Sequence, residues 1–342
     1  MTRKTALVIA PGRGTYNKTE LGYLTRHHRD RRDLIDHFDA LRRDLSQPTL
    51  SELDGADRYS MSTFSRGDKA SALIHACAYA DFLSIDRDAF DIVAVTGNSM
   101  GWYIALACAG ALDAEGGFRV INTMGTLMHE FLIGGQVIYP FVDENWQEIL
   151  GRKAELLDLI DQIPDLYLSI DLGGMLVFAG EAPALEALEA RLPALDGRFP
   201  LRLANHAGFH SPLQAPVAKR GREALPPQLF HQPHTPLIDG RGHIWLPRTI
   251  NLQGLRDYTL GEQVTEPYDF RKSVSHAVRE FAPDRIIVLG PGGTITGAVA
   301  QSLISINWEG HGSKQDFSAR QKEDPFILAM NEPGQRPIVT NR

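Results

Sequence analysis

Ser99 lies in the run Gly97-Asn98-Ser99-Met100-Gly101, between an apolar stretch at residues 90–96 and a further apolar stretch reaching Leu112. A Gly-x-Ser-x-Gly run between a buried strand and a helix is the context of a nucleophile elbow. The two glycines permit a sharp turn that lifts the serine hydroxyl off the sheet. The helix start beneath it offers free N–H groups and a positive dipole end to an oxyanion. The chemistry such a serine performs is acyl transfer through an ester. It needs a base within hydrogen-bond reach. Of twelve histidines, His27 and His28 fall in a charged helical stretch, and His231, His234 and His243 in a loop-rich one. His231 and His234 have metal-pair spacing but no supporting ligand cluster. His210 stands in Ala207-Gly208-Phe209-His210-Ser211-Pro212-Leu213, where the chain returns from a middle segment. The residue pattern alone leaves it either the base or an ordinary loop histidine.

The elements that must position these groups follow from periodicity. Residues 6–10 (ALVIA) read as a buried parallel strand ending in the turn Pro11-Gly12-Arg13-Gly14. Residues 19–46 and 69–83 read as helices, the first with arginines alternating with aspartates as on a solvated face. Residues 90–96 and 284–289 read as further buried strands. From 136 to 205 the pattern is β-α-β-β-α-β, that of a ferredoxin-like unit. In it, residues 136–142 read as an edge strand because of Pro140, and Trp146, Ile149, Leu150, Leu156, Leu157 and Ile160 as one helical stripe. Residues 307–324 read as a polar surface excursion.

Composition narrows the classes. With 35 basic and 42 acidic residues among 342, the net charge of −7 argues against a generalist nucleic-acid binder. Two cysteines, Cys77 and Cys108, exclude a disulfide scaffold and fit a reducing, cytoplasmic setting. The apolar run at the N-terminus is too short for a signal peptide. Residues 92–112 carry no charge and are long enough to span a bilayer, but Thr96, Asn98, Ser99 and three glycines suit the elbow better.

Several motifs together resemble the malonyl-CoA:acyl-carrier-protein transacylases, the acyltransferases of fatty-acid and polyketide synthesis. Pro11-Gly12-Arg13-Gly14-Thr15 resembles the family's Pro-Gly-Gln-Gly-Ser turn. Gly97-Asn98-Ser99-Met100-Gly101-Trp102-Tyr103 matches its Gly-His-Ser-Leu-Gly-Glu-Tyr elbow, with Ala109-Gly110-Ala111-Leu112 following. Phe209-His210-Ser211 matches the segment of its catalytic histidine, and Leu289-Gly290-Pro291-Gly292 and Met330-Asn331-Glu332-Pro333 match two later motifs. The resemblance implies an α/β fold, with an α/β-hydrolase-like catalytic core at 1–132 and 206–342 and a ferredoxin-like subdomain at 133–205. It implies a Ser99–His210 dyad; if acylation did not depend on His210, His206 would be the next candidate base. The oxyanion hole would be the backbone N–H groups of Arg13 and Met100. The family orients its histidine with a backbone carbonyl, matched here to Pro267-Tyr268-Asp269-Phe270, which makes Asp269 a supporting candidate.

Three departures bear on the substrate. Met124 stands where malonyl-specific members place the arginine that pairs with the malonyl carboxylate. Asn98 replaces the elbow histidine and Trp102 the glutamate. A carboxylate buried without its partner costs about 3–5 kcal/mol, and methionine suits an uncharged chain. The expectation is therefore a non-malonyl acyl group against Met124, Asn98, Trp102 and Phe209, with Arg13 the one substitute cation. The expected activity is transfer from acyl-CoA to an acyl-carrier protein through acyl-Ser99, with no metal or cofactor, no nucleic-acid or membrane partner, and a monomeric state. The alternatives are a thioester hydrolase using the same dyad, and a non-catalytic homologue that docks a carrier.

Overall fold

The computed structural model describes residues 3–341. Strand β1 (Lys4–Ala10) is apolar because it is flanked on both edges and covered on both faces; Ala6 to Ala10 are fully buried. It pairs in parallel with β2 (Phe90–Gly97). The chain then leaves this sheet for a second one. Strand β3 (Gly135–Pro140), the helix Arg152–Gln162, β4 (Leu166–Asp171), β5 (Met175–Gly180), the helix Ala182–Arg191 and β6 (Leu201–Arg202) follow in that order. Back in the main unit come β7 (Leu237–Ile238), β8 (Ile244–Trp245), β9 (Tyr268–Asp269), β10 (Arg285–Val288) and β11 (Ile327–Ala329). The main sheet runs β11-β10-β1-β2-β7-β8, parallel except for β8. Its parallel strands end on one edge, and the loops after β1, β2 and β10 gather there.

The second sheet runs β6-β3-β5-β4-β9. Its first four strands have the ferredoxin-like arrangement, and its two helices close a core of its own around Tyr139, Phe141, Leu156, Phe178 and Leu188. The fifth strand belongs to the main unit: Tyr268 and Asp269 pair with Ile170 and Asp171. This strand stitches the small sheet to the large one beside the site described below.

Four local expectations are corrected. Strand β3 is interior rather than an edge, and Pro140 is tolerated because β6 pairs only with Val137 and Ile138. The stripe from Trp146 to Ile160 is not one helix. A bridge between Val142 and Glu148 makes residues 142–148 a hairpin, and the helix begins at Arg152 after Gly151 adopts a left-handed conformation (φ 78°). Leu150 is left exposed. Residues 19–46 break into short turns before the helix Arg32–Asp44. Within 307–324 stands a helix, Lys314–Glu323, capped by Ser313 accepting from the Asp316 N–H. The uncharged stretch 92–112 resolves into β2, the elbow and the helix Gly101–Cys108. Among the described residues no helix is long and apolar enough to cross a membrane.

Candidate active site

The elbow exists because no side chain intrudes on it. A Cβ on Gly97 would lie 2.2 Å from the Gly101 carbonyl oxygen, and one on Gly101 would lie 2.4 Å from that of Ala10. Ser99 is thereby held at φ 56°, a left-handed conformation that costs a non-glycine residue about 1–2 kcal/mol. Strain at this position is the usual mark of a presented nucleophile.

Ser99 Oγ lies 2.6 Å from Nε2 of His210, which also has a positive φ of 55°. His210 Nδ1 lies 2.7 Å from the carbonyl oxygen of Gln263. A carbonyl only accepts, so Nδ1 carries the proton and Nε2 presents a lone pair to the serine hydroxyl. Burial pushes His210 down to about 4, partly opposed by the Gln263 carbonyl. The ring is neutral at pH 7, the state a general base requires.

Gln263 ties the pair together with its side chain as well. Its amide nitrogen donates to the Ser99 carbonyl (3.0 Å), and its amide oxygen accepts from the Tyr103 hydroxyl (2.8 Å). Tyr268 donates to the Gly97 carbonyl (2.5 Å) and sets its ring against His210, 5.4 Å between centres. From the other sheet, Ser169 on β4 donates to the Phe209 carbonyl (2.7 Å) and accepts from Gln136 on β3 (2.7 Å). Gln136 in turn pairs with His206 Nδ1 (2.8 Å). The peptide that precedes His210 is therefore anchored by the small sheet, whereas its ring is anchored by the large unit.

The other sequence candidates are placed as follows. The N–H groups of Arg13 and Met100 have no acceptor among the described residues, and Met100 caps the helix Gly101–Cys108. Asn98 packs against Gly12, with its side-chain oxygen enclosed and unpartnered among the described residues. Phe209 lies under the Arg13 guanidinium. His206 is engaged with Gln136 and pushed down to about 3 by burial and by the charge of Arg13; Ser99 is paired with His210 instead.

Three candidates stand elsewhere. Trp102 is fully buried, its indole N–H donating to Thr259 (3.0 Å) and its ring edge-on to Tyr258, so no face of it is open to a substrate. Met124 is fully buried too, its sulfur against Gly221, where a Cβ would lie 2.6 Å away. Asp269 does not reach His210. Its carboxylate accepts from the Lys272 N–H (2.7 Å) at the start of the helix Phe270–Phe281, because an aspartate there satisfies a free backbone donor. The carbonyl that orients His210 comes from Gln263, four residues before the segment expected to supply it. Sequence reasoning missed Gln263, Gln136 and Ser169. Gln136 and Ser169 carry a signal, as polar residues on inward-facing strand positions; Gln263, among Glu262, Thr265 and Glu266, carries none.

No protein-family model matches the chain. It is 25% identical over 207 residues to the malonyl CoA-acyl carrier protein transacylase of Escherichia coli K12, a match covering 59% of this chain and 63% of that protein. Its fold superposes on the crystal structure of malonyl-CoA:acyl carrier protein transacylase from Xanthomonas oryzae with a TM-score of 0.76 at 18% identity, covering 100% and 99% of the two chains. It superposes also on a malonyl-transacylase in complex with a holo type II polyketide-synthase acyl-carrier protein, with a TM-score of 0.70 at 18% identity over 99% and 100%. The chain is thus similar in sequence to the malonyl-CoA:acyl-carrier-protein transacylases and has their fold.

Proposed function

We propose that this protein is an acyltransferase that takes an acyl group from a CoA thioester onto Ser99 and passes it to the phosphopantetheine thiol of an acyl-carrier protein. The observation that carries this reading is the Ser99–His210 pair, with its tautomer set by the Gln263 carbonyl. His210 Nε2 takes the hydroxyl proton as Ser99 Oγ attacks the thioester carbonyl carbon. The oxyanion forms opposite the N–H groups of Arg13 and Met100. Collapse breaks the C–S bond, and His210 returns the proton to the departing CoA thiolate. The carrier thiol then repeats the sequence in reverse, with Ser99 as the leaving group. The likeness to transacylases, one of them in complex with its carrier, supports a carrier thiol over water as acceptor.

Met124 brings no charge to the acyl pocket. An uncharged acyl group is favoured over a carboxylate because position 124 carries no arginine to pair with one.

Transfer and hydrolysis separate in one experiment. With acyl-CoA and a holo-carrier, label is expected on the carrier thiol faster than free acid is released, with added salt slowing transfer through screening of the docking surfaces. Rapid release of free acid with no carrier labelling would assign the site to a thioester hydrolase.

A further inference from the structure

A cavity of about 500 Å³ opens between the short helix Tyr23–His27, the turn Arg29–Arg31 and the helix Arg336–Thr340. Neither member of the dyad lines it. Three arginines do: Arg26, Arg29 and Arg336. Arg336 is the fixed one. Its Nη2 lies 2.7 Å from the carboxylate of Asp81, and its Nη1 donates to the Tyr23 hydroxyl and the Met330 carbonyl (2.9 Å each). Asp81 is fully buried and also accepts from the Gly290 N–H (2.8 Å), so the charge of Arg336 is met and its side chain is held.

Arg26 and Arg29 differ. Arg26 donates to the Leu21 and Thr19 carbonyls, and Arg29 donates through Nε to the Thr25 carbonyl (3.0 Å). Neither stands in an ion pair among the described residues, and Nη1 and Nη2 of Arg29 have no hydrogen-bond partner there. The carboxylate at the rim, Asp30, has the Arg31 Nε 3.8 Å away. His27 sets its ring edge-on to Tyr23, 4.7 Å between centres, and the Arg336 guanidinium carbon lies 5.5 Å from the centre of the same Tyr23 ring. Burial, and then the charge of Arg336, push His27 down to about 4. It is neutral at pH 7, and the effect of Arg336 on it reports a positive potential in the cavity.

Two guanidinium groups without counter-ions suit a ligand that carries two negative charges at one point. A phosphate monoester does so and matches the planar fork of arginine, whereas a carboxylate carries one charge. The cavity is larger than a phosphate group, and Pro333 and Pro337 line it as well, which leaves room for an organic part. We propose that this cavity binds the phosphate group of a small phosphomonoester through Arg26 and Arg29, at a site separate from the acyl-transfer cleft. Both arginines are exposed, so the affinity falls as salt rises.

The test is calorimetric titration of the full chain with 5′-AMP, with inorganic phosphate and with adenosine, at fixed ionic strength. AMP and phosphate are expected to bind, AMP the more tightly, and adenosine is not. Arg29→Gln should weaken both by about 10-fold, and Arg26→Gln combined with it by about 100-fold, the range of hydrogen bonds to a charged group. Arg29→Lys should keep part of the affinity, because a point charge replaces the fork. Ser99 loading should be the same in all of these variants. Arg29→Gln gives up one backbone hydrogen bond at an exposed turn, and thermal melts check that each variant is folded. Binding of neither AMP nor phosphate, or an affinity unmoved by Arg29→Gln, overturns the proposal. Phosphate bound as tightly as AMP overturns its organic part. Competition between AMP and acyl-CoA for Ser99 loading that persists in the double variant places the anion in the acyl-transfer cleft and overturns the separate site.

Discussion

Two buried histidines, His210 and His75, divide the molecule instructively. Burial pushes both far down, His210 to about 4 and His75 to about 3. Around His210 every ring nitrogen is engaged: Ser99 on one side, the Gln263 carbonyl on the other. Around His75 neither nitrogen has a partner among the described residues. Its ring stacks on Tyr79 at 5.7 Å and lies against Phe38 and Phe118. Enclosure and a displaced proton affinity are therefore common to a catalytic candidate and to a packing residue. What separates them is partners on both nitrogens and a strained backbone that aims the ring.

The contrast can be broken most severely at His210. His210→Ala should slow single-turnover acylation of Ser99 by at least about 10²-fold, the lower range for a general base. In wild type the rate should stay level from pH 8 to about pH 5, because the ring takes a proton only near 4 in the folded protein. A rate that halves near pH 6.5 would mean an exposed, ordinary histidine is at work.

A smaller effect tests the small sheet's hold on the peptide before His210. Ser169→Ala removes the donor to the Phe209 carbonyl and leaves Gln136 short of an acceptor. Loss of one buried hydrogen bond should lower kcat about tenfold with KM nearly constant, and Ser169→Thr, which keeps the hydroxyl, should restore it. A drop in thermal stability with no change in kcat would make Ser169 a structural residue only.

The smallest change in activity belongs to His75. His75→Phe should leave acylation unchanged and raise stability by about 1 kcal/mol, by removing polar atoms buried without partners. The gain should grow as pH falls from 6.5 toward 3. The unfolded chain binds a proton at this histidine below about 6.5 while the folded chain resists it, so wild type loses stability through that window. Thermal melts of both proteins at pH 7 and pH 5 check the sign. An equal shift at the two pH values would contradict it.

The elbow was legible in the sequence because its geometry is local: two glycines and one serine within five residues, between a strand and a helix. The alternation of strands and helices in the middle segment was legible for the same reason. The partner of Ser99 was legible only through the family resemblance, which names His210; the residue pattern alone leaves it open, since His210 is 111 residues away and only the packing of both sheets brings it within reach. The orienting carbonyl of Gln263 was less legible still. Any residue type has a backbone carbonyl, so side-chain identity does not announce it. The helix Lys314–Glu323 escaped notice because it is polar all round and buries little besides Phe317. Met124 and Trp102 show the converse error. A position aligned with a pocket residue was read as lining a pocket, whereas the structure encloses both side chains in the core.

The central claim is that Ser99 carries the acyl group. Intact-mass analysis after brief exposure to malonyl-CoA, followed by peptide mapping, tests it most directly. One added acyl group per chain is expected, located on the peptide that contains Ser99 and absent from Ser99→Ala. An adduct of the same size that persists on Ser99→Ala, or that maps to another peptide, would contradict it.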